Sequence, residues 1–415
     1  MAVLFVKELR CLRCGHRHRP EDKPYVCEKC GGKIEVQYDY EQIRISRKTL
    51  EKRKRGVWKY AELLPVRNPD RAVTLGEGGT PLIKAARLGK KLGLKHLYLK
   101  DETRNPTGSF KDRLMTVGVT KALEFGAKTV VTASSGNAAI SLAAYAAKVG
   151  LECYTFVPER APESKLAQIS IHGAVVVKVT EKERGDPTYE LMIESWKRFG
   201  WHPIPSAGAF NPYHWEGIKT LAYEVCEGLK WSCPDWVFVP TGAGTLLSGC
   251  AKGFSELKRL GLTKNMPRIV AVQAKGCAPL VRAFRQNIPY ERIETWKKPK
   301  TVAGGLIDPF PWDADTAIEG IRRSGGDAVA VSDKEILQAE KELAQMEGVF
   351  AEPSGAAGVA GLKALIDEGK VDASDTVVVE VTGGGLKDVQ TALEISKRPR
   401  TISPSIKALS KLIKI

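Results

Sequence analysis

Seven short runs rich in β-branched and other apolar residues, with helix-like stretches between them, constrain this chain more than any other feature. They are HLYLK (His96–Lys100), KTVVTA (Lys128–Ala133), CYTFVP (Cys153–Pro158), AVVVKV (Ala174–Val179), DWVFVP (Asp235–Pro240), RIVAVQA (Arg268–Ala274) and TVVVEVT (Thr376–Thr382). Their apolar character is continuous rather than alternating, as in strands covered on both faces, and such strands sit in parallel sheets with helical crossovers. SFKDRLMTVGVTKALEFG and NAAISLAAYAAKVG supply helical patterns between them. The β-α-β-α order predicts an α/β fold with parallel or mixed sheets flanked by helices. Its functional loops should lie at the carboxyl ends of the strands.

Residues 1–40 follow a different logic. CLRC, a twelve-residue gap and CEKC place Cys11, Cys14, Cys27 and Cys30 on two tight knuckles, the second followed by Gly31 and Gly32. Two such thiolate pairs make one tetrahedral site suited to zinc, and a closed shell of four cysteines is structural rather than catalytic. Metal binding would supply the folding energy that so short a segment cannot draw from burial. The other five cysteines (Cys153, Cys226, Cys233, Cys250, Cys277) are dispersed along the chain. An odd, scattered set reads as reduced thiols in a cytoplasmic protein.

Lysine and arginine number 64 against 48 acidic residues, a formal charge of +16. Such an excess draws either nucleic acid or anionic metabolites. The basic residues are spread out, apart from RKTLEKRKR (Arg47–Arg55) and the last twenty residues, and aromatic residues are only 7% with no basic-aromatic stripe. That argues against a zinc-ribbon nucleic-acid-binding protein and for a solvated surface with an anionic small-molecule partner. No apolar stretch approaches the ~20 residues that cross a bilayer. The opening MAVLF is too short for a signal-peptide core, so no membrane partner is expected.

Four loops carry chemistry. In KDETRNPTGSFKDR a strand ends at Lys100 and a helix starts near Ser109, which puts Lys111 in its first turn, where positive local potential favours the neutral, nucleophilic amine. TASSGNAA opens another helix and offers backbone N–H groups of Ser134, Ser135 and Gly136 to a carboxylate, with Asn137 adding an amide. The turn Thr241, Gly242, Ala243, Gly244, Thr245 has the small residues and hydroxyls that cradle a phosphate, without the Gly-Lys-Ser/Thr ending of a Walker loop or a G-x-G-x-x-G fingerprint. In VVVEVTGGGLKD a buried strand delivers Thr382 to a triple-glycine turn, where a neutral hydroxyl can hydrogen-bond a ring nitrogen.

The set SFKDR, SSGN, TGAGT and TGGGLKD, in this order, resembles the tryptophan-synthase-β-like, fold-type-II pyridoxal-phosphate enzymes from about Leu75 to Asp388. Within them the chain is most similar to the threonine synthases. LGEGGTPL (Leu75–Leu82), NPYHWEGIKT (Asn211–Thr220), EGVFAEPSGAA (Glu347–Ala357) and the cysteine ribbon match their segments. The resemblance implies a lyase reaction in which O-phosphohomoserine and water give threonine and phosphate. It implies Lys111 as the Schiff-base and proton-shuttling lysine, and Asn137 at the cofactor's phenolic oxygen. Thr241 to Thr245 would hold its phosphate and Thr382 would face its ring nitrogen. Ser134, Ser135 and Gly136 would meet the substrate carboxylate, with Lys100, Lys165 and His214 as further substrate contacts.

Three positions depart from the family pattern: His214 stands for an arginine, Ala138 for a threonine, and Gly384 for asparagine or histidine. All three fall around the substrate, which keeps a β-replacing synthase acting on O-phosphoserine, or a threonine/serine dehydratase, in view. The expected architecture is a ribbon (1–40), a large cofactor-binding domain (41–112 with 221–395), a small mobile domain (113–220) and a basic tail (396–415). In the tail Ile406, Leu409, Leu412 and Ile413 have the spacing of a short amphipathic helix that docks on its own body or on a second subunit of a homodimer.

Overall fold

The computed structural model describes residues 5–180, 182 and 186–413. The first four residues of the ribbon segment and the last two of the tail lie outside the described residues.

The N-terminal module is a small antiparallel sheet. β1 (Val6–Cys11) pairs with β2 (Arg17–His18) and with β3 (Ile34–Tyr38) in the order β2-β1-β3. Between these strands, the backbone N–H of Gly15 bonds the Cys11 carbonyl at 3.0 Å and that of Gly31 bonds the Cys27 carbonyl at 2.7 Å. Both glycines have positive φ, 71° and 67°, so two equivalent knuckles form where only glycine turns without strain.

The body is built on two sheets. β4 (Leu82–Lys84) and β5 (His96–Asp101) begin the larger one. The chain then makes the smaller sheet from β6 (Thr129–Ala133), β7 (Glu152–Pro158), β8 (Val175–Val179) and β9 (His202–Pro203). It returns to the first with β10 (Trp236–Pro240), β11 (Arg268–Ala274), β12 (Asp327–Val331) and β13 (Thr376–Val381). The larger sheet has the order β12-β11-β10-β13-β5-β4 and is parallel except where β4 meets β5; the smaller is β8-β7-β6-β9 and wholly parallel. Every residue of β6 and of β10 is buried, as their unbroken apolar runs require.

The sequence pattern misses three body strands for a physical reason. β4 and β9 have only three and two residues, and β12 (DAVAV) carries alanines where the other strands are branched.

Four helices bear on the functional loops: α1 (Lys111–Glu124), α2 (Asn137–Val149), α3 (Thr245–Arg259) and α4 (Pro353–Asp367). Small residues let α4 lie directly on the large sheet. A Cβ on Gly361 would come within 2.3 Å of Val272, and one on Gly358 within 2.7 Å of Val379. Close packing of this kind makes a larger residue at either position a source of strain of about 1–3 kcal/mol. None of the described helices is long and apolar enough to cross a membrane. The tail helix spans Ile406–Ser410; Ile406 is 78% exposed and Leu409 and Ile413 are also exposed, so it does not bury its apolar face on the body.

Candidate active site

The carboxyl ends of strands from both sheets meet at one cleft of about 260 Å³. Ala133 and Pro158 close β6 and β7 on one wall, and Pro240 and Thr382 stand at the ends of β10 and β13 on the other. Four helices also begin there: Lys111, Asn137 and Thr245 are the first residues of α1, α2 and α3, and Glu352 and Ser354 flank the start of α4. Converging helix N-termini give the cleft a positive potential and a supply of backbone N–H groups, the arrangement that holds anions.

Lys111 is fixed from below. The loop before it turns at Gly108 (φ 76°), and the Phe110 N–H donates to the Thr382 carbonyl at 3.0 Å, tying this loop to the end of β13. The Asp112 carboxylate accepts from the Thr107 N–H at 2.7 Å, and the next residue, Arg113, reaches the carboxylates of Glu102 and Glu224 from a fully buried position. The Lys111 amine itself contacts the Ser206 carbonyl at 3.4 Å. Burial lowers its pKa to about 8, with Asp308 and Asp313 opposing the shift. The expectation of a nucleophilic amine therefore stands on desolvation before any helix potential.

Opposite Lys111 lies the glycine turn. Gly242, Ala243, Gly244 and Thr245 line the cleft; Thr241 does not, because its hydroxyl turns back to donate to the Val239 carbonyl at 2.8 Å. The Thr245 hydroxyl is likewise committed, donating to Asp313 at 2.5 Å. The turn thus offers the cleft its backbone N–H groups rather than the hydroxyl donors read from the sequence. Gly244 has φ 102°, and a Cβ there would meet Ala317 at 3.0 Å and the Asp313 carbonyl at 3.1 Å, so both conformation and space require glycine. The Ala243 N–H is hydrogen-bonded to the Asp308 carboxylate, which burial raises to about 7. A turn whose Ala243 N–H already meets a carboxyl oxygen presents donors of the kind that a phosphate monoester accepts.

Ser134, Ser135, Gly136, Asn137 and Lys165 also line the cleft, as does Ala138. Asn137 donates one amide N–H to Glu352 at 2.7 Å. The close fit of Asn137 and Glu352 under Gly383, where a Cβ would come within 2.4 Å of the Glu352 carboxylate, explains a glycine directly after Thr382.

Two expected substrate contacts are corrected. Lys100 is 1% exposed and points away from the cleft, donating to the Thr80 carbonyl and to Glu224, both at 2.7 Å. Its partners are invisible in sequence because Glu224 comes from a helix more than a hundred residues away. His214 is fully buried, its ring between the carbonyls of Asn211 (3.1 Å) and Pro205 (2.9 Å), and its Cβ lies 3.0 Å from where Gly118 of α1 would carry one. Burial lowers its pKa to about 4, so it is no cationic replacement for an arginine. Sequence reasoning passes over Asp308, Ser206, Glu352, Ser354 and Lys387, all of which line the cleft. Lys387 stands in one of the quoted motifs (TGGGLKD), and Glu352 and Ser354 stand in another (EGVFAEPSGAA), which is the available signal for them; Asp308 and Ser206 become visible only through folding.

At the N-terminal module, Cys11, Cys14, Cys27 and Cys30 place their sulfurs within 4.8 Å of one another, with Cys11–Cys30 at 3.5 Å and Cys14–Cys27 at 3.7 Å. Four thiolates around one zinc at bond lengths of ~2.3 Å stand about 3.8 Å apart, so the cluster has the size such an ion demands.

Comparison with known proteins agrees with this geometry. Residues 73–383 match the family described as pyridoxal-phosphate dependent enzyme. The chain is 42% identical over 408 residues to the threonine synthase of Methanocaldococcus jannaschii, covering 98% of this chain and 99% of that protein. It is 41% identical over 407 residues to that of Methanosarcina acetivorans, covering 98% of each. Among solved structures, maize serine racemase shares the fold with a TM-score of 0.64 at 26% identity, covering 76% of this chain and 90% of that one. Lysine, glycine turn and converging helix starts thus occur in the matched segment of a chain that belongs to the pyridoxal-phosphate dependent enzyme family.

Proposed function

We propose that this protein is a threonine synthase: a lyase that takes O-phosphohomoserine and water to threonine and phosphate. The observation that carries the reading is the likeness to threonine synthases along essentially the whole length of both chains.

Pyridoxal phosphate supplies an electron sink for the pair left when an α-proton is removed. In this reading Lys111 holds the cofactor and moves protons, for which an amine with a pKa of about 8 is suited near neutral pH. The N–H groups of Gly242 to Thr245 hold the cofactor's phosphate, the Thr382 hydroxyl faces its ring nitrogen, and the free N–H of the Asn137 amide serves its phenolic oxygen. Ser134, Ser135 and Gly136, at the start of α2, take the substrate carboxylate. Lys165 and Lys387, both in the cleft, carry the positive charge that an anionic substrate needs. Phosphate departs from the γ carbon and water adds at the β carbon, so a single amine within reach of successive carbons can serve every proton transfer.

The four cysteines hold a structural zinc in this reading. In this reading the chain divides into the ribbon (1–40), a large cofactor-binding domain (41–112 with 221–395), a small mobile domain (113–220) and a basic tail (396–415). The protein works in the cytoplasm as a homodimer, a role for which exposed Leu386, Leu393 and Ile406 are available.

The test is substrate discrimination by purified enzyme. Phosphate release with threonine formation from O-phosphohomoserine is expected. Cysteine formation from O-phosphoserine plus sulfide, or keto-acid formation from threonine, at a higher kcat/KM would move the chain to one of the alternative activities.

A further inference from the structure

The N-terminal module reaches the underside of the glycine turn through one side chain. Lys33 follows the second cysteine knuckle and is 7% exposed. Its backbone is set by that knuckle: the Leu12 N–H donates to the Lys33 carbonyl at 3.0 Å and the Cys27 N–H to the Gly32 carbonyl at 2.9 Å. Gly32 is wedged among the sulfurs, where a Cβ would lie 3.2 Å from Cys30 Sγ and 3.3 Å from Cys11 Sγ. From this anchored position the Lys33 ammonium donates to Asp313 Oδ1 at 2.5 Å and to the Thr316 hydroxyl at 2.9 Å, and stands 3.9 Å from Asp315.

Asp313 is fully buried and joins three parts of the active site. Its Oδ2 accepts from the Thr245 hydroxyl at 2.5 Å and from the Gly208 N–H at 2.8 Å, and its own N–H donates to the Ala243 carbonyl at 2.9 Å. Gly208 lies two residues from Ser206, whose carbonyl meets Lys111. A carboxylate in that place repels a nearby dianion unless it is neutralised, and Lys33 is the described residue in direct ion-pair contact with it.

We propose that Lys33 is a positioning residue for the cofactor's phosphate: by neutralising Asp313 it lets that carboxylate hold Ala243 and Thr245 in place beneath the bound group. This rests on the reading of Gly242 to Thr245 as the phosphate cradle. The four-cysteine module is then part of the active site's foundation and not an appendage.

The test compares full-length apoprotein binding pyridoxal phosphate and unphosphorylated pyridoxal, for wild type, Lys33→Met and Tyr38→Phe. Tyr38 serves as control because it also links the module to the body, donating to Glu216 at 2.9 Å, but touches no part of the turn. Lys33→Met is expected to weaken pyridoxal phosphate roughly tenfold or more while pyridoxal changes less than twofold, since an uncompensated buried charge beneath the turn acts most strongly on the dianion held there. Tyr38→Phe is expected to shift both ligands equally or neither. Equal losses for both ligands in Lys33→Met, or the same pattern in Tyr38→Phe, overturn the inference. If Lys33→Met does not fold, Lys33→Gln, which keeps a hydrogen-bond donor toward Asp313 but carries no charge, is read by the same ratio and must show the same selective loss. Wild type that prefers pyridoxal phosphate no more than pyridoxal would defeat the cradle itself, an outcome separate from failure of the Lys33 inference.

Discussion

The cysteine cluster and the cleft each present a prepared set of donors, but over very different lengths of chain. The four sulfurs come from twenty residues, Cys11 to Cys30, on two turns closed by their own backbone hydrogen bonds. The cleft's groups come from Lys111 to Lys387, most of them at the end of a buried strand or the start of a helix packed on one. In the zinc reading, the first needs an ion to hold its four thiolates together. The second is held by the core, so its shape does not wait for a ligand. Local donor sets therefore depend on their occupant for stability, and long-range ones depend on it for function.

The largest expected effect is on the local set. Cys27→Ser should abolish stoichiometric zinc and unfold β1 to β3, because ligation in such modules is worth on the order of 10 kcal/mol. Metal analysis together with amide exchange of residues 6–38 checks this; a module that keeps its protection without metal would erase the contrast. Next comes Lys111→Ala, expected to lower kcat about a thousandfold or more with the melting temperature nearly unchanged, because the cleft is preset. Activity within tenfold of wild type would remove the assigned role.

Lysines on the two sides of the cleft wall sharpen the same comparison. Lys100→Met should cost about 3 kcal/mol of stability, since it leaves Glu224 with one cationic partner fewer in a buried network, and should leave KM unchanged. Lys165→Ala should raise KM for the phosphorylated substrate about tenfold with little change in stability. Urea unfolding and steady-state kinetics on both variants separate these outcomes, and the reverse pattern would restore Lys100 as a substrate contact.

The smallest effect is one of pH. The attacking form of Lys111 is the neutral amine, and its pKa is lowered from 10.5 to about 8. The rate at which apoprotein captures pyridoxal phosphate should therefore rise as pH climbs through about 8 and level off above it. Stopped-flow absorbance follows the capture, and a rate still rising toward 10.5 would show an unburied lysine.

The same difference in length of chain governs what can be read from the sequence. The four cysteines, their knuckles and the strand runs are legible because spacing alone encodes them. Lys111 and the glycine turn are legible as motifs, though not the reasons for their geometry: burial as the first cause of the lysine's shift, or Asp313 as the acceptor for Thr245. Lys100 misleads because a lysine at a strand end shows nothing of the Glu224 carboxylate that turns it inward. His214 misleads because the two carbonyls that flank it and the close approach of Gly118 exist only after folding. β12 escapes notice because alanine carries a weak strand signal, and Lys33 because its partner is 280 positions away.

The central claim is that one lysine, at the start of α1, carries the cofactor. Reduction of the pyridoxal-phosphate-loaded protein with borohydride, followed by peptide mapping, tests it most directly. The pyridoxyl group is predicted on Lys111. Finding it instead on Lys165 or Lys387, the other lysines of the cleft, or on no lysine there, would contradict the account.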